Sequence, residues 1–222
     1  PPSNPALLDF LADDFASSGF DLRHLIRRIM NSRTYQLSSQ ANETNVHDQT
    51  SYSRATVKRL PAEVILDLQS DLLDTPADFA GYPNGMRAVQ IPGVKHKRNR
   101  KLAPRSGDRF LMTFGKPERI LACECERSNE TTLKQAFVLI GSEGLQQARA
   151  NPGNRIRQLA HSKMSDSDVI DELYWLALTR SPSAIERSAA LDMIKTSTDG
   201  RLAAIEDIAW ALMNAKEFLF RR

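Results

Sequence analysis

Cysteine, histidine and aromatic residues are scarce in this 222-residue chain, which has two cysteines, four histidines and 7% aromatics. With one cysteine pair no disulfide framework carries the fold, so stability must come from a hydrophobic core, which a chain of this length can bury. No apolar run approaches the ~20 residues that a membrane-spanning helix needs, and the chain does not open on a charged segment followed by an apolar one. Neither Cys-x-x-Cys-His nor Gly-x-Ser-x-Gly occurs, and no phosphate-binding loop or dinucleotide fingerprint is present. The strong signals of c-type haem attachment, an activated serine and nucleotide binding are therefore missing. There is no internal repeat.

Positive charge is present but local. Lys95, Lys97, Arg98, Arg100 and Lys101 together outweigh the net charge of +3, so the remainder of the chain is slightly acidic. Such a cluster attracts phosphate, sulfated polysaccharide or another anionic surface. It is flanked by Pro92-Gly93 and Pro104 and has no interleaved aromatics, which suits a solvated loop better than a binding patch and gives no reason to expect a nucleic-acid partner.

Elsewhere apolar residues recur at helical spacing. Asn4 before Pro5 reads as a cap and a first helical position, followed by Leu7, Leu8, Leu11 and Phe15, with Gly19 ending the helix. Asp21 caps a second helix, with Leu22, Leu25, Ile26, Ile29 and Met30 on one face and Arg23, a solvated His24, Arg27 and Arg28 on the other; the two predict a helical hairpin. Residues 31–55 are polar and read as a loop with short turns. Pro61 starts a helix with a buried stripe of Val64, Ile65, Leu68 and Leu72, stopped by Thr75-Pro76.

Between Ala80 and Arg109 seven glycines and prolines argue against a long regular element, and Ala88–Ile91 is the one strand candidate. Leu133, Ala136, Phe137 and Ile140 share a helical face, continued by Ser142–Ala150. Ser165 with Asp168, and Ser183 with Glu186, read as helix starts of the capping-box kind. Gly200 precedes a last long helix with Leu202, Ile205, Ile208, Ala209 and Leu212 inward, and Phe218 and Phe220 dock on the core. Trp175 and Trp210 are expected in the core or at groove edges. The fold class is mainly α, an irregular multi-helix bundle with a long Gly/Pro-rich loop and at most a minor β element. It is expected as a single domain over residues 1–222, with 81–109 an irregular basic loop and 110–130 the region of the motif described next.

The densest chemistry is Cys123-Glu124-Cys125-Glu126-Arg127-Ser128. On a strand both cysteines point to one face, whereas on a helix they diverge by about 200°. An extended Cys-x-Cys offers two thiolates to a metal. Zinc would need about two more ligands in a structural site, and only His24, His47, His96 and His161 are at hand, so buried inert thiols are the commoner outcome and no metal is assigned. Glu124 and Glu126 have the spacing of paired carboxylates, as glycoside chemistry uses, and equally that of a solvated edge. Arg127 suits an ion pair with Glu63 or Glu124, or a bidentate grip on a ligand carboxylate or sulfate. Arg33, Thr34, Tyr35, Gln36, Ser38 and Ser39 supply donors and an aromatic face that suit a sugar, while Tyr35 equally suits packing at a helix end. No catalytic residue is assigned.

The motif, continued by Thr131-Thr132-Leu133-Lys134-Gln135-Ala136-Phe137 and preceded by Phe110-Leu111-Met112-Thr113-Phe114-Gly115-Lys116-Pro117, resembles the planctomycete-specific C-terminal domain of unknown function. Asn4-Pro5-Ala6-Leu7-Leu8-Asp9-Phe10-Leu11, Leu25-Ile26 to Tyr35, Arg59-Leu60-Pro61-Ala62-Glu63, Glu172-Leu173-Tyr174 and Asn214-Ala215-Lys216-Glu217-Phe218-Leu219 are similar to it in the same order, so the likeness runs end to end. It departs at Gly141, where the family would place an asparagine. The resemblance implies a C-terminal fragment of a larger protein, with further residues upstream of Pro1-Pro2-Ser3. It implies export to the periplasm or cell surface and company with planctomycete-type cytochrome c modules, in some members with carbohydrate-binding-like modules. Haem would belong to those modules, and no cofactor is expected in this chain. The leading expectation is a helical accessory or interaction module that docks on upstream modules, with a cytochrome c module or an anionic polysaccharide as candidate partners. The alternative is a catalytic half-site for redox or polysaccharide-related chemistry coupled to a cytochrome c module.

Overall fold

Side-chain caps at Asn4, Asp21, Asn154, Ser165 and Ser183 set five of the helix starts. The computed structural model describes residues 2, 4–48, 51–93, 102–116, 132–141 and 143–221. Among these the chain forms eleven α-helices, one 3-10 turn and two two-residue strands, a mainly helical, irregular multi-helix arrangement. It divides into two compact units, Pro1–Lys58 and Arg59–Arg221.

The first unit is a helical hairpin followed by turns. α1 (Pro5–Ser17) begins where the Asn4 side chain accepts the Leu7 N–H at 3.1 Å, with Pro5 as its first residue. Gly19, at φ 72°, turns the chain in the left-handed region, where glycine carries no Cβ penalty. α2 (Leu22–Met30) starts on Asp21, which accepts the Arg23 N–H at 2.8 Å. Phe15 and Phe20 close the turn edge to face, with centroids 5.4 Å apart. Asp14 ties the helices together, 2.9 Å from His24 Nε2 and 3.5 Å from Arg28 Nη2. His24, expected to be solvated, is thus held by a carboxylate, because the hairpin turn brings Asp14 opposite the first turn of α2.

β1 (Lys58–Arg59), at the boundary of the two units, and β2 (Phe220–Arg221) form a two-stranded ribbon, beside which, in the second unit, the Leu60 N–H donates to the Leu219 carbonyl at 2.9 Å. The helices are α3 (Ala62–Leu73), α4 (Ser106–Thr113), α5 (Leu133–Gly141), α6 (Glu143–Ala150), α7 (Arg155–His161), α8 (Asp166–Leu178), α9 (Ala184–Thr196), α10 (Arg201–Met213) and α11 (Lys216–Leu219). Two apolar clusters share α3. Its first half gives Ala62, Ile65 and Leu66 to a cluster with Phe79, Ile91, Phe110, Leu111 and Phe114, while Leu72 and Leu73 enter a larger one with α7, α8, α9, α10 and Phe218 of α11. Each fully buried Ile or Leu here contributes about 1.5–3 kcal/mol. The buried stripe of α3 is wider than the expected Val64, Ile65, Leu68 and Leu72, and it takes in Asp67 and Gln69.

One other expectation is corrected, and two are made specific. Ala88–Gln90 is a 3-10 turn rather than a strand, because the Asp67 carboxylate takes up the Ala88 and Val89 N–H groups that a sheet partner would need. α5 forms, but Leu133 and Phe137 face solvent while Gln135 is buried and Val138 and Leu139 pack on the smaller cluster. Trp175 is more than half exposed, and Trp210 packs on the larger cluster.

The C-terminal helices follow their caps. Ser165 accepts the Asp168 N–H and donates its hydroxyl to the Asp168 carboxylate at 2.7 Å. Ser183 and Glu186 form the full capping box, with Ser183 N–H to Glu186 at 2.7 Å and Glu186 N–H to Ser183 at 3.3 Å. Arg180 grips both Glu186 oxygens at 2.8 and 2.9 Å, reaches Glu217 of α11 at 2.9 Å and lies over the Tyr174 ring. This arginine and the Ser183 N–H hold the Glu186 carboxyl down at about 2, against an ordinary 4.5.

α4 begins with no room to spare. A Cβ on Gly107 would stand 2.5 Å from the Phe79 ring and 2.7 Å from the Asp78 carbonyl. Gly107→Ala is expected to lower unfolding stability by about 1–3 kcal/mol, read by urea denaturation, because backbone and a core ring must shift. The pH dependence has a definite sign: the Glu186 contribution is complete above its unfolded value of 4.5 and is lost as pH falls toward about 2. Stability of Arg180→Ala is expected to be lower at pH 7 and to fall less steeply over that acid range, and an unchanged slope would contradict this assignment.

Candidate functional site

The residues singled out for chemistry in the sequence fall outside the description. Cys123, Glu124, Cys125, Glu126 and Arg127 lie outside the described residues, and so do Lys95, Lys97, Arg98, Arg100 and Lys101. What is described is the frame from which the cysteine segment departs and to which it returns. The last turn of α4 presents the Thr113 and Phe114 carbonyls; Gln135 Nε2, on α5, donates to Thr113 at 3.1 Å, and Arg59 Nη2 donates to Phe114 at 3.4 Å. Arg59 Nη1 donates to Gln135 Oε1 at 2.5 Å. Its guanidinium lies 5.6 Å from the Phe114 centroid, and Phe114 stacks on Phe110 at 4.4 Å. Burial lowers the Arg59 pKa. Gln135 has only 4% of its surface exposed, so this is a desolvated polar latch that joins α4 to α5 across residues 114–132.

Next to it in α3, Asp67 accepts from the Ala88 N–H at 2.7 Å and the Val89 N–H at 3.2 Å. Lys116 Nζ donates to the carbonyl of the same Ala88 at 2.7 Å. The Ala88 peptide is thereby held on both sides by buried charged groups. Arg87 closes the outer edge with a bidentate pair to Asp71 at 2.9 and 2.8 Å, and it stands 3.6 Å from Asp67. The hydrogen bonds to both Asp71 oxygens, first, and the Asp67 charge raise the Arg87 pKa. Asp67, Asp71 and Asp74 line a small cleft with Arg87, but no group of three or more His, Cys, Asp or Glu side chains among the described residues is arranged to hold a metal. These polar residues were not singled out in the sequence. The available signal was a carboxylate, Asp67, set between Leu66 and Leu68 in the most apolar stretch of α3.

The second feature is the hairpin surface. α1 and α2 contain no buried residue. Leu7, Leu8, Phe10, Leu22, Ile26 and Met30 are each half exposed or more, which is unusual for side chains at core spacing. Arg28 folds back over Phe10 and pairs with Asp14, whereas Arg23 and Arg27 make no ion pair among the described residues. Among the sugar-suited residues, Tyr35 is half exposed, and the Gln36 amide is spent on the Met30 carbonyl at 3.2 Å. No helix of the described residues is long and apolar enough to cross a membrane.

Helical bundle, polar latch and bare hairpin together define a mainly helical module without a recognisable catalytic constellation among the described residues. The chain belongs to the family described as PSD1, protein of unknown function (DUF1553), whose model matches residues 1–194. No curated protein and no solved structure matches the chain.

Asp67→Ala leaves two backbone donors without their acceptor in a dry site and is expected to cost about 1–3 kcal/mol. Hydrogen exchange should locate the loss at Ala88 and Val89, and unchanged protection of these amides would refute the role given to Asp67.

Proposed function

We propose that this chain is an accessory and interaction module of a larger exported protein, acting in the periplasm or at the cell surface, and that it docks the modules preceding it in the same polypeptide through the α1–α2 hairpin. The observation that carries this reading is the hairpin's lack of any buried residue. Two helices of 13 and 9 residues cannot hold themselves together without a covered apolar face. Leu8, Leu22 and Ile26 at the exposed side supply the apolar part of an interface, and Arg23 and Arg27, which make no ion pair among the described residues, favour a partner face with carboxylates at its rim. Any redox chemistry, including that of a cytochrome c module, would reside in the partner modules. The Cys123–Arg127 segment then serves as structure, and Lys95–Lys101 as a solvated loop able to meet an anionic polysaccharide.

Comparing backbone hydrogen exchange of α1 and α2 in the full-length protein with that in the 222-residue chain tests the reading. Strong protection in the full-length protein and fast exchange in the chain alone are expected, and Ile26→Glu should abolish the protection while α8 to α10 remain protected. Equal, fast exchange in both proteins would sink it.

A further inference from the structure

A cleft of about 170 Å³ opens between α3, the loop Thr75–Asp78, the first turn of α4 and the end of α6. This is enough for a small solute and well short of the roughly 300–1,000 Å³ of a drug-sized site. Leu66, Leu73 and Phe110 line it with apolar surface, while Gln69, Ser70, Ser106 and Asn151 bring carboxamides and hydroxyls.

Gln69 is the side chain that distinguishes this cleft from an accident of packing. It is 94% buried, with 6% exposed, and its carboxamide makes no hydrogen bond among the described residues. The other buried polar side chains of this unit, among the described residues, are engaged: Asp67 by Ala88 and Val89, Asp108 by Ala80 and Arg105, Lys116 by Ala88, Gln135 by Arg59 and Thr113, and Asn154 by Ala148, Arg149 and Arg157. Its amide atoms are not themselves enclosed, so the carboxamide meets the open space of the cleft with its donors and acceptor available to a ligand. Asp78 is the one charged residue of the lining, and Arg105 meets it at 2.5 Å. An anionic ligand would find no free cation in the lining, and a cationic ligand no free carboxylate. Amides and hydroxyls offer donors and acceptors together, and a ligand hydroxyl serves as both.

We propose that this cleft binds a neutral polyhydroxyl compound no larger than a single sugar ring, oriented by the Gln69 carboxamide and resting its C–H surface on Leu66 and Phe110. The site is separate from the docking hairpin and stands whether or not that reading holds.

Titration of the isotope-labelled 222-residue chain with glycerol, glucose and inositol, followed by amide NMR, tests it. The side-chain amides of Gln69 and Asn151 and the backbone amides of Ser106 and Gly107 are expected to move along one saturating curve in the millimolar range. Gln69→Leu, similar in size, should weaken binding roughly tenfold with Tm unchanged or raised, because the variant removes an unpaired amide. Ser70→Ala should give a smaller loss at unchanged Tm. No saturable shift with any of the three polyols, unaltered binding in both variants, or equally tight binding of acetamide, which carries no hydroxyl, overturns the proposal.

Discussion

Helix α3 is the element on which the second unit depends. It gives Ala62, Ile65 and Leu66 to one apolar cluster and Leu72 and Leu73 to the other, so a rotation of this helix would empty both. Its orientation is pinned by chemistry that an apolar stripe alone cannot supply. Asp67 accepts the Ala88 and Val89 N–H groups, and a carboxylate buried to this degree tolerates no register but the one in which its oxygens are met. The seven glycines and prolines of residues 80–109 could have made that stretch shapeless; where it is described, it follows α3 instead.

The polar contacts around this axis form two kinds of bridge. Arg59, Gln135 and the carbonyls of Thr113 and Phe114 connect the ribbon start, α4 and α5 in a dry setting, where each hydrogen bond is stronger and each loss costlier than at the surface. Arg180, Glu186 and Glu217 join the α8–α9 turn to α11 in a partly solvated setting, where the same charges are screened and their worth depends on pH. The first arrangement fixes where the cysteine segment leaves and re-enters the described fold. The second closes the C-terminal helices upon one another.

Much of the helical order was legible in the residues. Asn4-Pro5, Asp21, Ser165 and Ser183-x-x-Glu186 announce helix starts because capping is decided within three residues of chain, and the structure uses each of them. α4 and α7 were not legible: α4 lies at the edge of a stretch rich in Gly and Pro, and α7 is seven residues long. Their local signals, the Asn154 cap of α7 and the Phe110-Leu111-Phe114 spacing of α4, are too short to stand out from that background. The Leu133 and Phe137 face of α5 misled because helical periodicity gives a stripe without saying which neighbour meets it, and here the neighbour meets Gln135, Val138 and Leu139.

By itself the sequence determined that the chain is mainly helical, where most helices begin, that the α1–α2 pair forms a hairpin and that the chain belongs to a family of unknown function, since these rest on local spacing and on matching residues. Tertiary structure alone decided which polar groups are buried. Asp67, Gln69, Lys116 and Gln135 look like ordinary surface residues in one dimension. The groups that hold Asp67, Lys116 and Gln135 include partners 21 to 76 positions away, such as Arg59 for Gln135, and all four are buried where two helices and a loop meet at α3. The cleft beside Gln69 has the same origin: it is a space left between elements, and such spaces arise from how helices pack, which no single stretch of chain encodes.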